Sequence, residues 1–172
     1  GADIVFEGVT VTGTENIMMA ACLAEGRTTL RNVAMEPEIS DLADLLNKMG
    51  AKVQGAGTET ITVDGVQSLH STTYTIPADR IEAGTYLVAT AVTGGKIKIN
   101  SIQPDRLKNV IERLKMSGAI IEVEKNSISL DMQNKRPLPV DISTSPFPGF
   151  PTDMQAQFSV LNALASGDSI VE

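Results

Sequence analysis

The sequence resembles itself at intervals of about seventy residues, and this repetition constrains the fold more than any other feature. Three segments align, each an apolar helical stretch that ends at glycine and is followed by a strand-like run: residues 19–30, 87–97 and 161–170. Glycine directly after a helical stretch is typical of a helix end, because it adopts the left-handed conformation without a Cβ clash. The chain is therefore expected to hold two copies of one structural unit and the start of a third.

A second helical pattern follows the first two of these segments and ends at Gly50 in one copy and at Gly118 in the other. Its apolar residues recur at helical spacing: Ile39, Leu42, Ala43, Leu46 and Met49, then Leu107, Val110, Ile111 and Leu114. Alternating apolar residues then predict a hairpin in each copy, residues 51–53 with 61–63 and residues 119–123 with 128–132. The unit is helix, strand, helix, strand, strand, which predicts an α/β (α+β) fold with two amphipathic helices on one sheet layer.

Residues 137–151 hold five of the eight prolines and are expected to form an irregular or extended connector. A boundary between repeats is expected near residues 75–77, where extended residues lead into Asp79. The chain begins at Gly1 and ends within a strand-like run, so we expect it to be a fragment of a longer protein.

Composition excludes several classes of protein. The chain is 42% hydrophobic and 20% charged, as in ordinary globular proteins. A net charge of −7 and 3% aromatic residues argue against nucleic-acid binding. The longest apolar run, residues 17–24, is too short to span a membrane. The single cysteine, Cys22, excludes an internal disulfide and favours a reducing compartment, so we expect a cytoplasmic protein.

Acidic residues stand at the predicted helix starts. Asp153 is expected in the first turn of the third repeat's helix, where a carboxylate can either cap the helix or be held rigidly for chemistry. Asp79 has the corresponding place in the second repeat and is a natural N-cap. In the first repeat the equivalent turn, residues 12–16, is rich in small residues whose backbone N–H groups could face an anion, although most such turns bind nothing.

Other conspicuous residues have structural explanations. Glu36 and Glu38 precede a helix and indicate N-terminal acidity with solvated carboxylates. Cys22 lies on an apolar helical stripe, which indicates a small core residue and not a reactive thiol. His70 has no second histidine or cysteine nearby, and no metal or organic cofactor is suggested. Residues 55–57 read Gly-Ala-Gly, which indicates a hairpin turn more than a dinucleotide-binding loop.

Five segments together resemble the bacterial UDP-N-acetylglucosamine 1-carboxyvinyltransferases, a family of enolpyruvyl transferases. They are TENIMMAA (residues 14–21), EPEI (36–39), LLNKMGAK (45–52), PADRIE (77–82) and FPTDMQAQ (150–157). The resemblance implies an inside-out α/β barrel of two similar domains, built from repeats of the unit described above, with the active site in the cleft between them. It implies that residues 1–77 form the end of one domain and residues 78–172 the beginning of the second.

The resemblance also implies a reaction and its residues. The enolpyruvyl group of phosphoenolpyruvate would pass to the 3-hydroxyl of UDP-N-acetylglucosamine by addition and elimination, with release of phosphate, in the first committed step of peptidoglycan synthesis. Asp153 would accept the hydrogen bond of the 3-hydroxyl and act as its general base. The strand-end loop of Gly8, Val9, Thr10 and Val11 would bind the uridine diphosphate. Asp79 would line the cleft.

The chain also departs from the family pattern. Thr12-Gly13 stands where many members have glycine and then a small residue. The family's loop with a cysteine proton donor, its early Lys-Asn pair and its late arginine are absent, and Cys22 is not that cysteine. Without cations for phosphate and carboxylate we expect the chain alone to be inactive. Two alternatives stay open: an enolpyruvyl transferase acting on shikimate 3-phosphate, and a non-catalytic folding or interaction fragment that self-associates through uncovered apolar surface.

Overall fold

The computed structural model describes residues 1–172, which form two compact units. The first comprises Gly1–Ile76 with Pro146–Pro148, and the second comprises Pro77–Ser145 with Gly149–Glu172. None of the helices has the length and apolar character needed to cross a lipid bilayer.

The first unit packs two helices on a four-stranded sheet. Its elements are β1 Asp3–Val5, α1 Val11–Ala21, β2 Arg27–Arg31, α2 Pro37–Lys48, β3 Lys52–Gln54 and β4 Thr60–Asp64. The strand order is β1-β2-β4-β3, with β1 parallel to β2 and the remaining pairs antiparallel. Alternate residues of the central strands, such as Leu30 and Ile61, are fully buried against Met18 of α1 and Ile39 of α2.

The second unit packs three helices on a three-stranded antiparallel sheet. Its elements are α3 Arg80–Val92, β5 Lys96–Asn100, α4 Lys108–Met116, β6 Ile120–Glu124, β7 Ser127–Asp131 and α5 Gln155–Leu164. The strand order is β5-β7-β6. Short 3-10 helices, Pro104–Leu107 and Thr152–Met154, precede α4 and α5. The core joins Leu87 of α3, Leu114 of α4, Leu130 of β7 and Phe158 of α5.

The predicted repeat is confirmed. The order α1-β2-α2-β3-β4 recurs as α3-β5-α4-β6-β7, and Gly50 and Gly118 end the second helix of each copy with φ values of 97° and 96°. The third copy differs from the prediction after α5, where no strand forms. Val171 makes only an isolated parallel bridge to Ile142, because the partner of this segment is the proline-rich connector, which has no strand of its own.

The connector, residues 137–151, is irregular, as predicted, and is held by specific hydrogen bonds. The Asn162 side chain of α5 accepts from the Val140 N–H at 3.0 Å and donates to the Val140 carbonyl at 2.9 Å. Ile142 exchanges backbone hydrogen bonds with Ile170 and Glu172. These contacts fix the chain that leads into the 3-10 helix Thr152–Met154.

Candidate functional site

Asp153 lies on the 3-10 helix Thr152–Met154, directly after the connector. The sequence placed it in the first turn of α5, but α5 begins at Gln155, and the Met154 N–H is bonded to the Pro151 carbonyl at 3.0 Å. The Asp153 side chain is exposed and makes no capping hydrogen bond to the helix that follows. The Asp153 carboxylate therefore does not cap α5 and is exposed to solvent.

The neighbours of Asp153 are firmly packed. Met154 is fully buried, and the ring of Phe150 meets that of Phe158 edge-on, with centroids 5.0 Å apart. Met154 rests against Gly84 in the middle of α3, and Gln157 Nε2 donates to Thr85 Oγ1 at 2.9 Å. The exposed carboxylate of Asp153 is thus held in place by buried neighbours, Phe150 and Met154.

Sequence reasoning did not single out these supporting residues on α3. One signal was present: Gly84 interrupts an otherwise regular helical pattern, and an isolated glycine in a helix interior commonly has a packing reason. Thr85 and Gln157 gave no such signal, because their contact joins positions 72 residues apart.

Asp79 caps α3, and the capping interpretation of this residue is confirmed. Its Oδ1 atom accepts from the backbone N–H groups of Ile81 at 2.7 Å and Glu82 at 3.1 Å. The side chain is exposed, but its carboxylate already satisfies two of the amides that the helix start leaves without partners.

The Gly8–Val11 segment lies in the first unit and leads into α1. Gly8 is open, since a Cβ placed there would meet no atom within 4 Å, and Val9 is exposed. Thr10 is the N-cap: its Oγ1 accepts from the Gly13 N–H at 3.2 Å. Because Oγ1 is the acceptor in this bond, its proton remains available as a donor to a ligand.

The start of α1 agrees with the prediction. Residues 12–16 were expected in the first turn of the first repeat's helix, and α1 begins at Val11, so they lie at its start. The Thr10 cap and the bond from Thr14 Oγ1 to the Thr10 carbonyl, 2.7 Å long, stabilise helix in this run of small polar residues. The first turn carries no acidic residue, which leaves the positive end of the helix dipole uncompensated there.

Glu36 corrects another expectation. It stands at the N-cap of α2, as the sequence indicated, but its side chain is neither a cap nor simply solvated. Its Oε1 atom accepts from the Phe147 N–H at 3.4 Å, and its Oε2 atom is shielded from solvent without a hydrogen-bond partner. Phe147 belongs to the same unit as Glu36.

The interpretations of Cys22 and of residues 55–57 are confirmed. Cys22 is fully buried, its Sγ donates to the Met18 carbonyl at 3.3 Å, and burial raises the pKa of its thiol, so the reactive thiolate is disfavoured. Residues 55–57 form the hairpin turn between β3 and β4, with Gly55 and Gly57 at positive φ. His70 is exposed, and its Nδ1 contacts the Ser71 carbonyl at 3.1 Å.

Comparison with known proteins identifies the relatives of this chain. A family model described as EPSP synthase (3-phosphoshikimate 1-carboxyvinyltransferase) matches residues 1–172. A UDP-N-acetylglucosamine 1-carboxyvinyltransferase of Aeromonas hydrophila subsp. hydrophila is 55% identical over 99% of this chain. One of Hydrogenovibrio crunogenus is 54% identical over 100% of it. The chain spans 41% of the length of each of these curated relatives.

Two solved structures share the fold. The enolpyruvyl transferase NikO from Streptomyces tendae matches 96% of this chain and 42% of its own, with a TM-score of 0.81 and 22% identity. EPSP synthase from Acinetobacter baumannii matches 99% of this chain and 40% of its own, with a TM-score of 0.63 and 21% identity. The predicted α/β fold of the enolpyruvyl transferases is therefore confirmed.

Proposed function

The chain belongs to the EPSP synthase (3-phosphoshikimate 1-carboxyvinyltransferase) family, and from that premise we propose that the protein containing it is a UDP-N-acetylglucosamine 1-carboxyvinyltransferase. This enzyme would move the enolpyruvyl group of phosphoenolpyruvate to the 3-hydroxyl of UDP-N-acetylglucosamine and release phosphate. One observation carries the choice of acceptor: 55% identity, spread over 99% of the chain, to relatives with that name. The EPSP synthase structures are only 20–21% identical.

Asp153 is the proposed general base. A sugar hydroxyl is a poor nucleophile until its proton is being removed, and a carboxylate within hydrogen-bond reach can remove it. As the 3-hydroxyl oxygen bonds to the central carbon of phosphoenolpyruvate, its proton passes to Asp153, while the methylene carbon takes a proton from a donor that this chain does not supply. Phosphate then leaves the central carbon, and a base that this chain does not supply takes one proton from the newly formed methyl group, which restores the double bond. The exposed side chain and buried neighbours of Asp153 support this role.

Gly8, Val9, Thr10 and Val11 are the proposed binding segment for the uridine diphosphate. Support comes from the start of α1, where the amides of Val11 and Thr12 precede the first intrahelical hydrogen bond and no first-turn acid opposes an anion. The open backbone at Gly8 permits close approach. Asp79 is proposed to lie near the substrate, a role secondary to its cap.

Several finer assignments follow from the same proposal. Residues 1–77 would end one domain of the whole enzyme and residues 78–172 would begin the second. The enzyme would act in the cytoplasm, at the first committed step of peptidoglycan synthesis, with phosphoenolpyruvate and UDP-N-acetylglucosamine as its partners and no cofactor. Neither nucleic acid nor membrane is an expected partner.

The test is an acceptor assay on the purified full-length protein. Phosphate release is measured with phosphoenolpyruvate and either UDP-N-acetylglucosamine or shikimate 3-phosphate, and product mass is checked. We expect turnover with the UDP-sugar alone. Turnover with shikimate 3-phosphate alone would instead establish the alternative, an enolpyruvyl transferase acting on shikimate 3-phosphate. The description of the matching family model favours that alternative.

Residues 1–172 by themselves are proposed to be inactive, because the family's cationic groups and cysteine loop are missing from them. Turnover by the purified chain with both substrates would contradict this. The exposed apolar side chains of Leu23 and Ile170, 57% and 61% accessible, support the alternative of a self-associating fragment. Size-exclusion mass at several concentrations separates that alternative from a stable monomer.

A further inference from the structure

The side chain of Met154, at the end of the 3-10 helix Thr152–Met154, packs closely against Gly84 in the middle of α3. A Cβ built on Gly84 would lie 2.9 Å from Met154 Sδ, closer than real Cβ atoms come to other heavy atoms, and 3.0 Å from Met154 Cε, a tight contact. Both atoms are at the end of the methionine side chain, so the cost of the contact depends on whether that side chain can move. Gly84 has ordinary helical geometry, so what the glycine provides is space and not an unusual backbone conformation. Met154 is fully buried and therefore has little room to move aside.

A second contact, between Gln157 of α5 and Thr85 of α3, also holds this segment against α3. Gln157 Nε2 donates to the hydroxyl of Thr85, the residue after Gly84, and that hydroxyl donates to the Ile81 carbonyl at 2.8 Å. Two adjacent positions of α3 thus hold the chain at residues 154 and 157. Asp153 is one peptide bond from Met154, so any shift of the Met154 backbone also moves the Asp153 backbone.

We propose that Gly84 is a positioning residue for the Asp153 carboxylate, an inference that rests on the proposed role of Asp153 as general base. Proton abstraction requires a heavy-atom separation of roughly 2.6–3.2 Å. A misplacement of about 1 Å can lower a rate on the order of 100-fold. A methyl group on Gly84 would press on the buried Met154 side chain, and we expect part of that shift to reach the 3-10 helix, although Gly84 itself touches no substrate.

The primary test is Gly84→Ala in the full-length protein, assayed with phosphoenolpyruvate and UDP-N-acetylglucosamine. We expect kcat to fall on the order of 10- to 100-fold, with a smaller change in KM for the UDP-sugar. Gly95→Ala is the matched control, because a Cβ there meets its nearest atoms at 3.5 Å, an ordinary contact, and we expect it to retain wild-type kcat.

Two further variants separate positioning from general loss of structure. In Gly84→Ala/Met154→Ala the shortened side chain vacates the space that the new methyl needs, and we expect part of the lost kcat to return. In an Asp153→Asn background, Gly84→Ala should lower kcat by less than twofold further, because the group it positions is already disabled. A full additional loss in that background, or wild-type kcat in Gly84→Ala alone, would overturn the proposal.

A crystal structure of the Gly84→Ala variant keeps the test independent of turnover. Superposed on α3, it should show the Asp153 Cα displaced by roughly half an ångström, because a fully buried Met154 side chain has too little room to absorb the whole contact. An unmoved Asp153 refutes the positioning role whatever the activity. If the wild-type protein transfers enolpyruvate to neither acceptor while Asp153 still moves, the proposed function fails and the structural role of Gly84 stands.

Discussion

Asp79 and Asp153 have the same place in the repeat, but only Asp79 caps a helix, and the difference lies in local backbone geometry. Asp79 has an extended backbone, with φ −70° and ψ 113°, from which its carboxylate reaches the amides of Ile81 and Glu82. Asp153 is itself inside a 3-10 helix, so its carboxylate has no helix start to cap. Sequence position alone could not distinguish a cap from a free carboxylate, because capping depends on whether the residue stands before the helix or in it.

Asp79→Ala should destabilise the second unit by about 1 kcal/mol, the usual cost of removing an N-cap side chain. Asp79→Ser should recover most of this loss, because a serine hydroxyl can accept the same backbone N–H. The free energy of unfolding, measured by urea denaturation of the purified chain, provides the comparison. Equal stability of the alanine and serine variants would show that the cap contributes nothing.

Asp153→Asn should lower kcat of the full-length enzyme about 10²- to 10⁴-fold, the range attributed to a positioned general base. The amide preserves shape and exposure, so folding should be unaffected. Asp168→Asn, which alters another exposed carboxylate of the same unit, is the control and should leave kcat unchanged. An Asp153→Asn enzyme with full activity would remove Asp153 from the chemistry.

At the scale of elements, the repeat was predictable because its signals are local. Gly50 and Gly118 mark helix ends, and alternation in β4 and β7 marks half-buried strands. The small polar residues at 12–16 have weak helix propensity, and the Thr10 cap that stabilises the start of α1 was not predicted from the sequence. The anchors of the connector could not be predicted, since Asn162 and Val140 are 22 positions apart.

Asn162→Ala should destabilise the second unit by about 2 kcal/mol, because it leaves the buried N–H and carbonyl of Val140 without partners. Hydrogen exchange at the Val140 amide should accelerate, and the urea midpoint should fall. Ser159→Ala on the same helix removes only an exposed hydroxyl bonded within α5, and we expect a change below about 0.5 kcal/mol. Similar behaviour of the two variants would show that Asn162 does not hold the connector.

At the scale of the whole molecule, each unit carries surface carboxylates whose charge is stabilised by the fold. Hydrogen bonds from Arg27, at 2.7 and 2.9 Å, lower the pKa of Asp64 in the first unit. In the second unit, the pKa of Glu124 is lowered most by the hydrogen bond from the Ser127 hydroxyl and further by the hydrogen bond and charge of Lys98. The pKa of Asp131 is lowered most by the hydrogen bond from the Gln133 backbone N–H and further by the hydrogen bond from Lys96. Glu124 is exposed, and Asp64 and Asp131 are partly exposed, so the contributions of these carboxylates to stability are small and screened by salt.

These shifts give stability a definite dependence on pH. A carboxyl whose pKa is lower in the folded state contributes stability above its unfolded pKa, about 4, and loses it as pH falls through the folded value. Asp64→Asn should therefore lower the melting temperature at pH 7, and the gap to the wild-type chain should narrow as pH falls from about 4 toward 3. The gap should also shrink in high salt at pH 7, because the Arg27–Asp64 pair is exposed to solvent. A gap that stays constant from pH 7 to pH 3 would mean that the charge on Asp64 does not stabilise the first unit, and that its hydrogen-bond geometry alone does.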